Sequence, residues 1–294
     1  ETCSMILANL AFEPALVHGT HLSSAHSTPP VQALSHVVLP ARPQYNVDAL
    51  LSEDERMVRD NVARWVDDRY LPIVTEHYRN GTFPTELARE MGEMGLLGTS
   101  LQGYGCPSMS GVIYGLAMEE LERGDSGLRS FASVQGSLAM YPIWAFGSDA
   151  LKDKFLPKMA AGELIGRFGL TEPDHGSDPS GMVTTAMKTD SGWIINGAKM
   201  WITNSPIADI AVVWAKAKEH KDDPGVIRGF ILEKEMKGYS APHTKYKMSL
   251  RASETGELVF DDVFVPDENM FPDIKGLKGP FMCLNSARYG IAWG

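Results

Sequence analysis

From Ser52 onward the apolar positions fall into step with an α-helix. Met57, Val58, Val62, Trp65, Val66 and Tyr70 recur at helical spacing as far as Pro72, and Ser52 with Glu55 forms a capping-box signature at the start. Thr85 opens a second amphipathic helix through Leu87, Met91 and Met94, stopped near Gly98. A third runs from about Ser110 through Val112, Ile113, Leu116 and Leu121. The segment GDSGLRS at 124–130 breaks that helix and leads into a further apolar helical run reaching Trp144. Ser148 then caps a short helix carrying Leu151, Phe155 and Met159. Residues 46–165 therefore predict an N-terminal helical domain. Residues 1–45 follow neither period, hold His18, His21, His26 and His36, and have no Lys or Arg before Arg42, which predicts a flexible tail.

Beyond residue 166 the period switches to two. Residues 192–195, the Asn196–Gly197 pair and residues 199–203 predict a β-hairpin, and 210–217, 226–233 and 257–265 predict three more strands. Five or more short strands joined by turns predict a small barrel or sandwich over 166–272. From Gly279 the pattern is helical again and still running at Gly294, so 273–294 is expected to be the start of a truncated C-terminal helical domain. The class is α+β.

At 294 residues the chain is long enough for two or more packed units, and 44% hydrophobic with 22% charged residues is ordinary for a soluble protein. A net charge of −10 argues against a nucleic-acid partner. Cys3, Cys106 and Cys283 are few and far apart, which fits buried thiols in a reducing compartment; neither they nor the tail histidines have metal-ligand spacing, so no metal is expected. The longest apolar run, near 207–217, is interrupted by Asp209 and far too short for a membrane span. The tail lacks the arginines of a mitochondrial leader and the basic start and apolar core of a secretory one, which favours the cytoplasm, or the mitochondrial matrix in a eukaryote.

Candidate chemistry begins with FGLTEPDHGSDPSGM at 168–182. Gly169, Gly176 and Gly181 allow close backbone approach, and Thr171, Ser177 and Ser180 supply hydroxyls, so the loop can wrap a phosphate or the edge of a heterocycle; a plain surface turn fits the composition equally. The spacing is neither a P-loop nor GxGxxG. By pattern alone Trp201 is a core aromatic or a cover for a ring, Arg129 is the partner of Asp125 on an exposed helix face or an anchor for a carboxylate, and residues 281–288 are the first turns of an amphipathic helix.

Three separated segments in order, FGLTEPDHGSDPSGM, MWITNSPIAD at 200–209 and LNSARYGIAWG at 284–294, resemble the acyl-CoA dehydrogenase family over about residues 51–294, and its glutaryl-CoA dehydrogenase branch above others. The resemblance implies an acyl-CoA dehydrogenase-like order of domains, helical then β then helical, and FAD as cofactor. It places Phe168, Leu170, Thr171, Gly176, Ser177, Trp201, Ile202 and Thr203 on the flavin. It also implies that Glu122, Arg129 and Ser130 meet the free carboxylate of glutaryl-CoA, and that Ser177, Phe281, Leu284, Asn285 and Arg288 lie along the acyl-CoA. The implied reaction removes a proton beside the thioester and a hydride from the next carbon to the flavin; loss of the distal carboxylate as CO2 then gives crotonyl-CoA. A glutamate acts as base in this family. The position some relatives use for it is Ala287 here, so the base is expected beyond Gly294 and no catalytic residue is assigned within the chain. Electron-transfer flavoprotein and assembly into a homotetramer are implied partners. A dehydrogenase or oxidase of another short acyl-CoA, and a non-catalytic remnant binding acyl-CoA or FAD, remain as alternatives.

Overall fold

The Ser52 hydroxyl accepts from the Glu55 N–H at 3.2 Å and the Glu55 carboxylate accepts from the Ser52 N–H at 2.8 Å, closing the predicted capping box at the head of α1 (Glu53–Trp65). This computed structural model describes residues 46–294; the predicted tail, with its four histidines and Cys3, lies outside the described residues. The first helix does not end at Pro72 as its pattern predicts. A widened π turn, Val66–Tyr70, carries it into α2 (Leu71–Asn80), whose first turn contains Pro72, where the missing N–H has no intrahelical partner to lose. Helix α3 (Leu87–Glu93) and a short ribbon of β1 (Gln102–Gly103) and β2 (Cys106–Pro107) follow. Ser110 caps α4 (Gly111–Gly124), and Asp125 breaks it in extended conformation and caps α5 (Ser126–Ser133). A second π turn, Val134–Met140, then leads into α6 (Tyr141–Phe146) with Pro142 in its first turn, the same device repeated. Ser148 caps α7 (Asp149–Ala160), as predicted.

The β unit is one seven-stranded sheet of β3 (Gly166–Gly169), β4 (Thr185–Lys188), β5 (Gly192–Thr203), β6 (Ile210–Lys218), β7 (Val226–Glu233), β8 (Tyr239–Ser240) and β9 (Thr255–Pro266). Strand β6 pairs antiparallel with β7 along one edge. Along the other it pairs parallel with β3 and then β4, and the ladder continues through β5 and β9 to β8. The predicted hairpin at Asn196–Gly197 is not formed: β5 is a single 12-residue strand antiparallel to β9, and the pair makes a bulge in it. There the Asn196 amide donates to Asp262 Oδ1 at 2.8 Å and accepts from the Asp262 N–H at 2.9 Å. The true hairpin turn joins β4 to β5, where the Thr189 N–H donates to the Gly192 carbonyl at 2.8 Å. Strand β3, which the pattern left in a loop, is buried at all four residues and so shows no alternation to detect.

Alternate residues of β6 serve two cores. Val212 and Trp214 pack with Phe168 and Phe271 against the helical layer, while Ala211, Val213 and Ala215 share the interior of the sheet with Trp193 and Phe230, whose rings are 5.7 Å apart. The sheet thus curls around a core of its own, which is the barrel-like packing its short strands predict. Helix α8 (Lys278–Trp293) returns over α4 and the second π turn, close enough that a Cβ on Gly115 would stand 2.3 Å from the Trp293 ring. Cys283 is buried and Cys106 half-buried, both as free thiols. Among the described residues no helix is long and apolar enough to cross a membrane, and no cluster of three His, Cys, Asp or Glu is placed to hold a metal ion.

A buried ion pair ties the sheet to the loop that follows β3. Lys199 Nζ of β5 stands 2.8 Å from Glu172 Oε1, with the lysine side chain 0% and the glutamate 1% exposed, and also donates to the Leu170 carbonyl at 3.1 Å. The same carboxylate accepts from the N–H groups of Val183 at 2.6 Å and Thr184 at 3.0 Å. Burial by itself would raise the Glu172 pKa, but the Lys199 ammonium and the hydrogen bonds outweigh it and hold the carboxyl below 4.5. Burial pulls the Lys199 ammonium down to about 8 against the opposing pull of Glu172.

Gly197 sits at φ +136° with Thr184 Oγ1 2.6 Å from the position of a Cβ, so Gly197→Ala will lower stability by about 1–3 kcal/mol, read as a fall in thermal midpoint. Removing either member of the buried pair, as Glu172→Gln or Lys199→Met, will cost about 3–5 kcal/mol, and the double replacement less than the sum of the two. Because the folded Glu172 pKa lies below its unfolded value, the carboxylate's stabilisation is fully present above pH 4.5 and is lost as pH falls through the lower folded value; the acid limb of the unfolding midpoint should therefore flatten in Glu172→Gln.

Candidate functional site

The loop anchored by Glu172 closes one side of a cavity of about 450 Å3, a size suited to a small ligand or the reactive part of a cofactor. Phe168, Leu170 and Thr171 come from the end of β3 and the start of the loop, Gly176, Ser177 and Pro179 from its tip, and Trp201, Ile202 and Thr203 from β5. Val134 and Leu138 of the second π turn and Phe281, Leu284 and Arg288 of α8 complete the wall. The eight residues assigned to a cofactor by resemblance, Ser177 among them, therefore share one cavity with three more of those assigned to the acyl-CoA, Phe281, Leu284 and Arg288. Asn285 is not on the wall; its side-chain carbonyl accepts from Arg288 Nη1 at 3.0 Å and so steadies the arginine that is.

Trp201 is not a core aromatic. The register between β5 and β9 slips between Lys199 and Ile202, and within that bulge Trp201 takes φ 60° with 58% of its surface exposed. Left-handed backbone is unfavourable for so large a residue and is kept only where neighbours enforce it; bulges of this kind re-aim a side chain. The enforcing contacts are visible on both sides. The Met200 N–H donates to the Thr171 carbonyl at 2.9 Å, and Asn204, itself at φ 65°, donates its amide to the Gly166 carbonyl at 3.2 Å. Arg167, buried between these segments, donates from Nη1 to the Ser205 carbonyl and stacks on the Tyr239 ring at 4.9 Å. Burial draws the Arg167 pKa down and pushes the Tyr239 hydroxyl up to about 12, so the phenol stays neutral across ordinary pH.

The polar groups on the wall are open. Among the described residues the main-chain N–H groups of Gly176 and Ser177 and the hydroxyls of Thr171, Ser177 and Thr203 have no partner. At the loop tip Asp178 accepts from the Ser180 hydroxyl and from its N–H at 3.1 Å; these bonds, the hydroxyl's first, hold the Asp178 carboxyl low and fix the turn Pro179–Gly181. Open donors and hydroxyls beside the apolar faces of Phe168, Leu170, Ile202 and Trp201 suit a flat heterocycle with polar edges. No carboxylate among the described residues lines this cavity.

Glu122, Arg129 and Ser130 are not on the cavity wall. Arg129 Nε donates to Glu122 Oε2 at 2.6 Å, with side chains 14% and 22% exposed, and Ser126 donates its hydroxyl to the other Glu122 oxygen. The exposed Asp125–Arg129 pair that the spacing allows is absent: Asp125 spends its carboxylate on the Gly127 N–H at 2.6 Å as the cap of α5, and burial raises its pKa. Ser130 lies in α5 four residues before Val134, the first wall residue of the π turn that continues that helix. Glu122 also touches the far end of α8, its Oε2 3.1 Å from where a Cβ on Gly294 would lie.

Sequence reasoning missed Val134, Leu138 and Pro179 on the wall and the Glu172–Lys199 pair behind it. The apolar two carry no pattern beyond helix. The pair had a signal, two opposite charges at positions whose neighbours are apolar, that single-segment reading does not connect.

Comparison with known proteins accords with this geometry. Residues 52–163 match the N-terminal domain and residues 167–263 the middle domain of acyl-CoA dehydrogenases. A short-chain-specific acyl-CoA dehydrogenase of Megasphaera elsdenii is 40% identical over 232 residues, 77% of this chain and 60% of that protein. The structure of a glutaryl-CoA dehydrogenase of Mycobacterium smegmatis in complex with FADH2 superposes with a TM-score of 0.81 at 49% identity, covering 85% of this chain and 63% of that one. Butyryl-CoA dehydrogenase of Megasphaera elsdenii superposes with a TM-score of 0.76 at 35% identity, covering 83% and 65%. The chain thus spans about three fifths of the length of its relatives, and by its two matched domains it belongs to the acyl-CoA dehydrogenase family.

Proposed function

We propose that this chain carries the flavin cavity and the acyl-selecting wall of an FAD-dependent dehydrogenase that oxidises glutaryl-CoA, with decarboxylation to crotonyl-CoA, and passes electrons to an electron-transfer flavoprotein. The observation that supports the substrate is Arg129, a largely buried guanidinium held by Glu122 on α5, the helix that runs into Val134 of the cavity wall. Glu122 occupies only Nε, so the plane of the guanidinium is set while its two terminal nitrogens have no partner among the described residues. That fork matches a carboxylate with two parallel hydrogen bonds. An acyl chain ending in a carboxylate would satisfy it; an unsubstituted short chain would leave it unused.

The open N–H groups of Gly176 and Ser177 and the hydroxyls of Thr171 and Thr203 are the donors that would hold the isoalloxazine edge and phosphate-bearing chain of FAD, with Trp201 covering one face. When bound, the flavin supplies the acceptor for the hydride. Phe281, Leu284 and Arg288 would position the thioester along α8, and Arg129 with Ser130 would fix the other end of a five-carbon acyl group, so the length between them selects the carbons that react. Ala287 is buried on α8 and no carboxylate lines the cavity among the described residues, so none of these residues is assigned as the proton-abstracting glutamate; the homotetramer of the family is the proposed working assembly. A second reading, another short acyl-CoA as substrate, is favoured by one observation: Arg129 and Glu122 already neutralise each other.

Arg129→Ala in the whole protein separates the two. For glutaryl-CoA as substrate, kcat/KM should fall by about 10- to 100-fold, the loss of hydrogen bonds to a charged group, while that for butyryl-CoA changes little. Anaerobic bleaching of the visible flavin band by each thioester checks the same selectivity without turnover. Equal losses for both substrates would sink the carboxylate-anchor reading.

A further inference from the structure

Away from the main cavity, and sharing no residue with its wall, a second cleft of about 430 Å3 opens between the C-terminal end of α2 and the segment leading into β9. Four cations line it, Arg79, Lys245, Lys247 and Arg251, with His243 beside them and no Asp or Glu on the wall. In a chain of net charge −10 such a concentration of one sign is uneven. None of the four makes a salt bridge among the described residues.

The floor is rigid. Arg251 donates to the carbonyls of Tyr78 at 2.9 Å, Lys247 at 3.0 Å and Arg79 at 2.7 Å, and so covers the exposed end of α2. Lys247 Nζ donates to the carbonyls of Leu250 and Ser253 and to the Thr255 hydroxyl at 2.5–2.9 Å. Every one of these acceptors is neutral, so both positive charges are positioned without being cancelled. Burial, and then the charge of Arg251, pull the Lys247 pKa down against a smaller opposing pull from Glu254, which makes no salt bridge with it. Above this floor stand the exposed residues Arg79 and Lys245 and, at φ 61°, Tyr246, which is 88% exposed. The main-chain N–H groups of Lys245, Tyr246 and Lys247 also have no acceptor among the described residues.

We propose that this cleft binds a phosphorylated nucleotide, its phosphates between Arg79 and Lys245 over the Lys247–Arg251 floor and its base against Tyr246. Fixed cations with open N–H groups favour phosphate oxygens, and an exposed aromatic ring at the rim is a stacking platform for a base. A free nucleotide and the nucleotide end of a coenzyme present the same groups.

The test is calorimetric titration of the protein with ADP, inorganic pyrophosphate, adenosine and coenzyme A. ADP and pyrophosphate should bind at one site per chain, more weakly as salt rises, and adenosine should not bind. Lys245→Glu and Arg79→Glu, both changes at exposed side chains, should each weaken ADP about tenfold or more. Tyr246→Ala should weaken ADP but not pyrophosphate. Coenzyme A bound as tightly as ADP, with the same loss in Lys245→Glu, makes the coenzyme the source; ADP bound more tightly than coenzyme A makes it a free nucleotide. Absence of saturable binding would overturn the proposal. So would ADP binding that survives Lys245→Glu and disappears in Trp201→Ala, since the ligand would then sit in the main cavity. Equal weakening of ADP and pyrophosphate by Tyr246→Ala would overturn the nucleotide in favour of a plain anion.

Discussion

The main cavity depends on a salt bridge that no solvent reaches. A loop rich in Gly, Ser, Pro and Asp has little apolar surface of its own to hold it, and loops with so few buried contacts are ordinarily the least stable part of a fold. Here Glu172 reaches in from the start of the loop, binds the N–H groups of Val183 and Thr184 at its end, and meets Lys199 of β5. One carboxylate thereby closes the loop and docks it on the sheet. Isolated, either charge would be untenable in that interior; paired and fully hydrogen-bonded, they convert a flexible segment into a wall. The spacing along β5 completes the effect, because Lys199 points into the core two residues before Trp201 is turned out by the bulge.

The opposite wall is set by a proline. A regular helix cannot carry Pro142 in its interior, and the π turn at Val134–Met140 absorbs it. The widened turn lines the cavity with Val134 and Leu138, and its Ser137 hydroxyl is hydrogen-bonded to Tyr114 of α4 at 3.2 Å. The turn at Val66–Tyr70 before Pro72 is built in the same way but gives no residue to the wall of the main cavity, and its Val66 and Tyr70 are core. The backbone device is general to this helical domain, and only its position beside β3 and α8 gives it a part in the site.

Much of this was legible in the sequence. Helices capped by Ser52, Ser110 and Ser148 stand where their caps and apolar stripes put them, because local hydrogen bonding and periodicity decide those elements. Strands β6, β7 and β9 were legible for the same reason. The Asn196–Gly197 pair misled, since the same left-handed tolerance that suits a hairpin turn suits a bulge, and only the tertiary partner Asp262 decides between them. Pro72 misled because a π turn leaves no signature in the apolar pattern. At the site, the residues contributed by motif converge on one cavity, while the pair beneath them joins positions 27 apart in the chain and is invisible to any local reading.

Positive charge is handled in three ways in this fold, and the differences separate structure from function. Lys199 is wholly buried and matched by a carboxylate, so nothing about it asks for a ligand. Arg129 is matched on one edge only: Glu122 takes Nε and leaves the two terminal nitrogens without a partner among the described residues. Arg167 is buried with a carbonyl and an aromatic face as its company, and its work is done in holding the turn after Thr203. In the second cleft Lys247 and Arg251 are held by neutral acceptors, as Arg167 is, so their geometry is secured without a salt bridge to either. A fold that can neutralise a lysine completely in its interior has the means to do so elsewhere; where it orients cations without neutralising them, the unmet charge is the feature an anionic ligand would complete.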